Sequence, residues 1–244
     1  GMGMCANSLT LGCDCVGHIR YFDAHLCDSR GNPLAIPNAV CMHEEDYGVL
    51  WKHTDRRFPD RPEVRRSRRL VVSSVSTVEN YEYGFFWYLY QDGNVQFEVK
   101  LTGILSVGAA RPGEKPKYGA VIAPLLYAPA HQHFFNVRLD FAVDGLHNTV
   151  QRVDVVTEEP GPANPHGNGF FARATPLTTE KAARGSVDVA TARTWKVVNP
   201  HVRNAAGDPV GYKFVPGDTC VPFASPEAWW RKRAGFVDHH VWVT

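Results

Sequence analysis

Apolar and polar residues alternate with a period of two over much of this chain, the signature of half-buried strands. Val95, Phe97, Val99 and Leu101 alternate with Gln96, Glu98, Lys100 and Thr102. Ahead of them lies an aromatic run at 83–90, and Asp92-Gly93 between the two predicts a tight hairpin turn. The longest alternation comes later. His133, Phe135, Val137, Leu139, Phe141 and Val143 share one parity and predict a strand that Asp144-Gly145 turns into another at 150–156. Shorter strands are expected at 70–77, 194–198, 211–215 and 236–244. Helical signals are few. Ser225-Pro226-Glu227 supplies an N-cap and a first-turn proline ahead of 228–233, and 179–184, stopped by Gly185, is a second short candidate. No internal repeat or long linker interrupts the pattern. It predicts a mainly β, antiparallel fold with few short helices, forming one domain or part of one.

Composition supports that reading. Gly (21) and Pro (17) are abundant enough for a turn-rich β fold, and 44% hydrophobic residues in 244 suffice for a sizeable core. Lys and Arg number 26 against 25 Asp and Glu, a net charge of +1. That balance argues against nucleic acid or a membrane surface as an electrostatic partner. The longest apolar stretch, 121–130, is broken by Pro124 and Pro129 and falls short of a membrane helix. The chain opens Gly1-Met2-Gly3 without a signal peptide and stops at Thr244 within an apolar alternation, and it reads as a piece of something longer. The compartment stays open. Six cysteines (Cys5, Cys13, Cys15, Cys27, Cys41, Cys220) are too few for a disulfide-stapled scaffold, and Cys13-Asp14-Cys15 lacks zinc-knuckle spacing. Buried or incidental thiols, with one bridge at most, fit this usage.

Four segments could carry chemistry. In an extended chain His131 and His133 point to one face, and their parity with the following apolar series aims them at the core. Two neutral imidazoles so placed suit Cu(II) or Zn(II) with a third ligand from elsewhere, and the same spacing also fits a satisfied or surface pair. Residues 77–84 (Thr77 to Gly84) form a polar, aromatic strand end whose simplest role is packed tyrosines with hydroxyl partners. Met42-His43-Glu44-Glu45-Asp46-Tyr47 has Tyr47 where a zinc-protease helix needs histidine, so it predicts a polar cluster at a loop or strand end. Residues 52–69 carry eight Lys or Arg against Asp55, Asp60 and Glu63. A solvated or salt-bridged loop accounts for them better than nucleic-acid contact does.

Read together, Asn80-Tyr81-Glu82-Tyr83 and His131-Gln132-His133 resemble the copper amine oxidases, whose Thr-x-x-Asn-Tyr-Asp/Glu-Tyr motif contains the tyrosine that becomes topaquinone. The resemblance runs through the chain: Ala6-Asn7-Ser8-Leu9, Leu11-Gly12-Cys13-Asp14-Cys15, Cys41-Met42-His43-Glu44-Glu45-Asp46, Gly84-Phe85-Phe86-Trp87-Tyr88-Leu89-Tyr90, Arg138-Leu139-Asp140 and Pro209-Val210-Gly211-Tyr212-Lys213. It implies oxidative deamination of primary amines to aldehydes, with O2 as oxidant and ammonia and hydrogen peroxide released. It implies that Tyr81 is the quinone precursor and that Asn80 helps to fix the ring. His131 and His133 match two copper ligands, Asp140 matches a ligand of a peripheral calcium or other divalent metal, and Cys15 and Cys41 match a disulfide pair. By the same resemblance the fold is the catalytic β-sandwich domain, of which 1–244 is a part truncated at both ends, and the full protein is a homodimer. A tyrosine beside Cu(II) can become electron-rich enough to react with O2, which suits these roles.

The departures matter too. The family's catalytic base precedes the segment matched by Gly1-Met2-Gly3, and its third copper histidine follows the part matched by this chain. His239 and His240 match a different strand of the family pattern and are not expected to bind copper. The alternative is a non-catalytic β-sandwich that at most binds a metal weakly through His131 and His133. The amine is not identified by these residues.

Overall fold

In the computed structural model, which describes residues 2–217 and 219–244, almost all regular structure is antiparallel strand. Two compact units divide the chain, Gly1–Ala130 and His131–Thr244.

The first unit contains a meander in which each strand pairs with the next. Its members are β1 (Arg20–Cys27), β2 (Pro33–His53), β3 (Glu63–Val78), β4 (Tyr81–Tyr90) and β5 (Val95–Gly103). A small three-stranded sheet follows, with β6 (Gly108–Ala109), β7 (Gly119–Ala123) and β8 (Leu126–Pro129) in the order β6-β8-β7. The predicted turn at Asp92-Gly93 joins β4 to β5, with Gly93 at φ 85°, where only glycine sits without strain. One buried cluster lies beside the meander. Leu9, Cys15 and Cys41 form it, with Ile19, Tyr21 and Val75 packed against them.

Strands β2 and β3 run well beyond the predicted 70–77 segment, and β1, β2 and most of β3 were not evident from periodicity. The reason is charge at the β2–β3 pairing. Arg66 pairs with Asp46, Arg68 with Glu44 at 2.6 Å and Arg69 with Glu45 at 2.7 Å. These cross-strand ion pairs let polar residues occupy paired strand positions, which hides the alternation. The basic segment 52–69 is thus partly neutralised by β2, as the salt-bridged reading expects, but residues 63–69 belong to β3 rather than to a loop. The Met42–Asp46 cluster lies within β2 rather than at a strand end. Arg69 is further enclosed by aromatic faces, its guanidinium 3.8 Å from the Tyr88 ring and 4.2 Å from Tyr47.

The second unit holds a four-stranded sheet in the order β10-β9-β11-β12, from β9 (Thr149–Thr157), β10 (Phe170–Pro176), β11 (Thr194–Arg203) and β12 (Pro209–Phe214). A short helix, α1 (Trp229–Arg233), follows where the Ser-Pro-Glu signal places it. Trp195 is almost wholly buried, and a side chain on Gly185 would come within 2.6 Å of its ring. Asp154 is a buried charge hub, with Arg193 Nε at 2.7 Å and Arg152 Nε at 2.9 Å. Burial pushes its carboxyl up, but the Arg193, Thr191 and Arg152 contacts outweigh that and hold it below the usual range. A carboxylate lowered by folding stabilises above its unfolded value, and that contribution is lost as pH falls through the lowered folded value. Asp154→Asn is expected to cost about 3 kcal/mol at pH 7, because it leaves Arg193 with only the longer 3.6 Å pairing to Asp188, and much less at pH 3. Urea melts of both proteins at the two pH values check this; equal losses at both would contradict it.

Three sequence expectations are corrected. The strongest alternation, from His133 to Val143, is not a strand: residues 131–142 carry no regular structure. No strand among the described residues pairs with it, and Phe135, Val137 and Leu139 are 37–43% exposed. Alternation records a chain with two unlike faces, whereas a strand also needs a neighbour to complete its hydrogen bonds. Residues 236–244 form a 3-10 turn, Gly235–Asp238, and one bridge from Val241 to Gly185 in place of a strand. The 179–184 helix is only a turn, since Gly185 bridges to Val241 before a second helical turn can form.

Candidate active site

Tyr81 opens β4 just after the turn that reverses β3. Val78 pairs with Tyr81, leaving Glu79 and Asn80 as the two loop residues, and Glu79 takes the left-handed conformation at φ 55°. The carbonyl of Asn80 accepts a hydrogen bond from the Ile104 amide at 2.7 Å, tying the turn to the end of β5. On the other side Glu82, paired with Thr77, accepts that residue's hydroxyl at 2.9 Å and the Asn7 amide at 3.3 Å. Two anchors therefore hold the backbone on either side of Tyr81. The phenol oxygen accepts a hydrogen bond from the Ser106 amide at 3.4 Å, and the half-buried ring lies 6.4 Å from that of Tyr83 on the same strand face.

Gly103, paired with Tyr81 on β5, was not singled out from sequence although its place at the end of a clear strand is a recognisable signal. It sits at φ 101°, and a Cβ there would lie 2.5 Å from the Asn80 carbonyl and 3.0 Å from Tyr81 Cα. The wall beside Tyr81 must therefore be bare backbone. Gly103→Ala is expected to cost about 2–4 kcal/mol and to displace the turn that carries Tyr81. Gly93→Ala is the control: it is strained at φ 85° but meets nothing within 4 Å, so a thermal melt should fall less for it.

In the second unit, the imidazoles of His131 and His133 meet edge to face, with ring centroids 4.8 Å apart. Gln132 explains their placement. Its Oε1 accepts the Phe223 amide at 2.8 Å and its Nε2 donates to the Val221 carbonyl at 3.2 Å, which pins the intervening residue to 221–223. Burial, reinforced by the charge of neighbouring His131, pushes His133 below its usual value. It is neutral at neutral pH, the form that can ligate a metal. The expectation that both rings face a core is corrected: His131 is exposed and His133 half-buried, and among the described residues no strand pairs with the segment that carries them.

The remaining predicted residues fall as follows. Asp140 is exposed in the irregular segment. Cys15 and Cys41 are brought together in the buried cluster as free thiols. His239 and His240 bond the 186–187 stretch: His239 Nδ1 is 3.4 Å from the Ser186 hydroxyl, and His240 Nδ1 accepts the Val187 amide at 3.2 Å. Among the described residues no three His, Cys, Asp or Glu side chains converge as a metal site. No helix among the described residues is long and apolar enough to cross a membrane.

The whole chain, residues 1–244, matches the family model described as copper amine oxidase, enzyme domain. It is 53% identical over 248 residues to a peroxisomal copper-containing diamine oxidase of Nicotiana tabacum, covering all of this chain and 31% of that protein. It is 48% identical to a primary amine oxidase of Arthrobacter sp., again over all of this chain and 37% of the relative. The chain thus spans about a third of the length of the curated relatives it matches. Among solved structures, a copper-containing benzylamine oxidase from Hansenula polymorpha superposes with a TM-score of 0.93 at 36% identity, over all of this chain and 38% of that one.

Proposed function

The chain belongs to the copper amine oxidase family, and on that premise we propose that the protein oxidises primary amines to aldehydes, consuming O2 and releasing ammonia and hydrogen peroxide. The observation that carries the proposal is the setting of Tyr81, a phenol anchored from both sides and faced by a glycine that no side chain could replace. Residues 1–244 are proposed as part of a single catalytic β-sandwich domain, in a protein that forms homodimers.

The donor set fits copper as far as this chain supplies it. His131 and His133 are adjacent, and His133 is held neutral by burial, so both would serve as imidazole ligands. Asp140 is proposed for a peripheral divalent metal. Copper and the quinone made from Tyr81 would supply an electrophilic carbonyl and a two-electron sink that ordinary side chains lack.

The chain's own residues set the conditions for that chemistry. The β3–β4 turn fixes the backbone of Tyr81, and Asn80 within it would limit the tilt of the ring. Gly103 leaves the space beside the Tyr81 Cα free. Gln132 keeps the two imidazoles on one side of their segment by tethering the residue between them. A substrate amine must be neutral to attack a carbonyl, so an enclosed site that disfavours ammonium would help. The test uses the full-length protein, loaded aerobically with copper. A quinone-specific redox stain and amine-dependent peroxide are expected together; neither, from folded and copper-loaded protein, would overturn the proposal.

A further inference from the structure

Strand β2 carries Cys41, His43 and Glu45 at alternate positions, so all three project from the same face. Cys41 Sγ lies 3.5 Å from His43 Nδ1, and His43 Nε2 lies 3.1 Å from Glu45 Oε1. Arg69, on the neighbouring strand, donates to the second carboxylate oxygen of Glu45 from Nε at 2.9 Å and Nη2 at 2.7 Å. Burial pushes the Glu45 carboxyl up, yet the hydrogen bonds from Arg69 and His43 outweigh it and keep the group ionised. An ionised carboxylate can only accept, so Nε2 carries the imidazole proton and Nδ1 is left as an acceptor facing the thiol.

Cys15 packs beside Cys41 in the buried cluster, and its nearby thiol adds to burial in pushing the Cys41 thiol up. The two differ in access: Cys41 is 0% exposed and Cys15 8%. An oxidant arriving from solvent meets Cys15 first. Burial pushes the Cys41 thiol up to about 12, so at neutral pH it is protonated and a poor nucleophile. It needs a base in contact.

We propose that His43 is the base that activates Cys41 for closure of a Cys15–Cys41 bridge, with Cys15 as the sulfur oxidised first and Glu45 and Arg69 as positioning residues. This rests on the reading, implied by the family resemblance, that the two cysteines pair. Hydrogen peroxide transfers one oxygen to the Cys15 thiol, giving a sulfenic acid and one water. His43 Nδ1 then takes the Cys41 proton as that sulfur attacks the Cys15 sulfur. The sulfur–oxygen bond breaks, and hydroxide leaves with the proton as a second water. Two thiols and one peroxide become one disulfide and two waters. Glu45 stabilises the transient imidazolium through Nε2, and Arg69 keeps Glu45 in place.

The test reduces the full-length protein, adds limiting hydrogen peroxide with or without a sulfenic-acid trap, and maps peptides by mass. Wild type is expected to link Cys15 to Cys41. His43→Gln is expected to link them roughly 100-fold more slowly while trapped sulfenic acid accumulates at Cys15. A purely structural role for His43 would not produce that accumulation. Glu45→Gln is expected to slow closure about 10-fold, and it tests the relay if His43→Gln fails to fold. Cys41→Ser should trap label on Cys15, and Cys15→Ser should leave Cys41 unlabelled. Wild-type closure rates in both His43→Gln and Glu45→Gln would overturn the relay and leave the bridge standing. Absence of any Cys15–Cys41 link in wild type would overturn the pairing itself, and label on Cys41 in preference to Cys15 would overturn the order of oxidation.

Discussion

Tyr81→Phe is expected to reduce amine-dependent peroxide release by at least about a thousand-fold, to background, with no quinone stain. The substitution removes one oxygen and nothing else. Phenylalanine keeps the ring beside Tyr83 and the β-propensity at the first position of β4, and the turn through Glu79 and Asn80 depends on backbone bonds that do not involve the hydroxyl. The Ser106 hydrogen bond is lost, and at 3.4 Å it is a long one, so the cost in stability is expected to stay below about 1 kcal/mol. Melting temperature and copper content should therefore match wild type while the activity is gone. A full quinone stain in this variant would place the cofactor at another residue.

His133→Ala is expected to lower copper affinity at least about 100-fold, and with it the yield of quinone, measured as metal content after dialysis of the full-length protein. His133 is the more buried of the pair, so alanine removes a proposed ligand and leaves a gap beside it. Its neighbours remain tied down, because Gln132 stays bonded to Val221 and Phe223 and the Phe134 ring stays 5.7 Å from that of Trp230. The loss should therefore be confined to the metal. A variant that kept its copper and its quinone would remove His133 from the ligand set. Tyr81→Phe loses the quinone with copper retained, whereas His133→Ala loses both, and the pair of outcomes separates precursor from ligand.

Periodicity and turn chemistry identified much of the β structure. The alternation through β5, the Asp92-Gly93 and Asp144-Gly145 turns, and the cores of β9, β11 and β12 are local properties, set by which residues alternate and which tolerate positive φ. The pairs Asn80-Tyr81 and His131/His133 were likewise legible, since each is close in sequence and matches a family motif. The residues that place them were not. Gly103 lies far along the chain from Tyr81, and Gln132 between the histidines has no local mark of its tether to 221–223.

The amino-acid sequence by itself determined the strand-rich class, the tight turns and the order of the motifs, because these follow from side-chain alternation and backbone sterics within a few residues. Tertiary structure alone decided which alternations became strands. The charged β2–β3 pairing formed because Asp46, Glu44 and Glu45 found arginines across the ladder, while no strand among the described residues pairs with the better alternation at 133–143. Tertiary structure also set Cys41 against Cys15, a contact between residues far apart in the chain, whereas the Cys41–His43 contact follows from alternation along β2. Hydrogen-bond partners and burial are properties of the neighbour, and no local pattern in a chain specifies its neighbour.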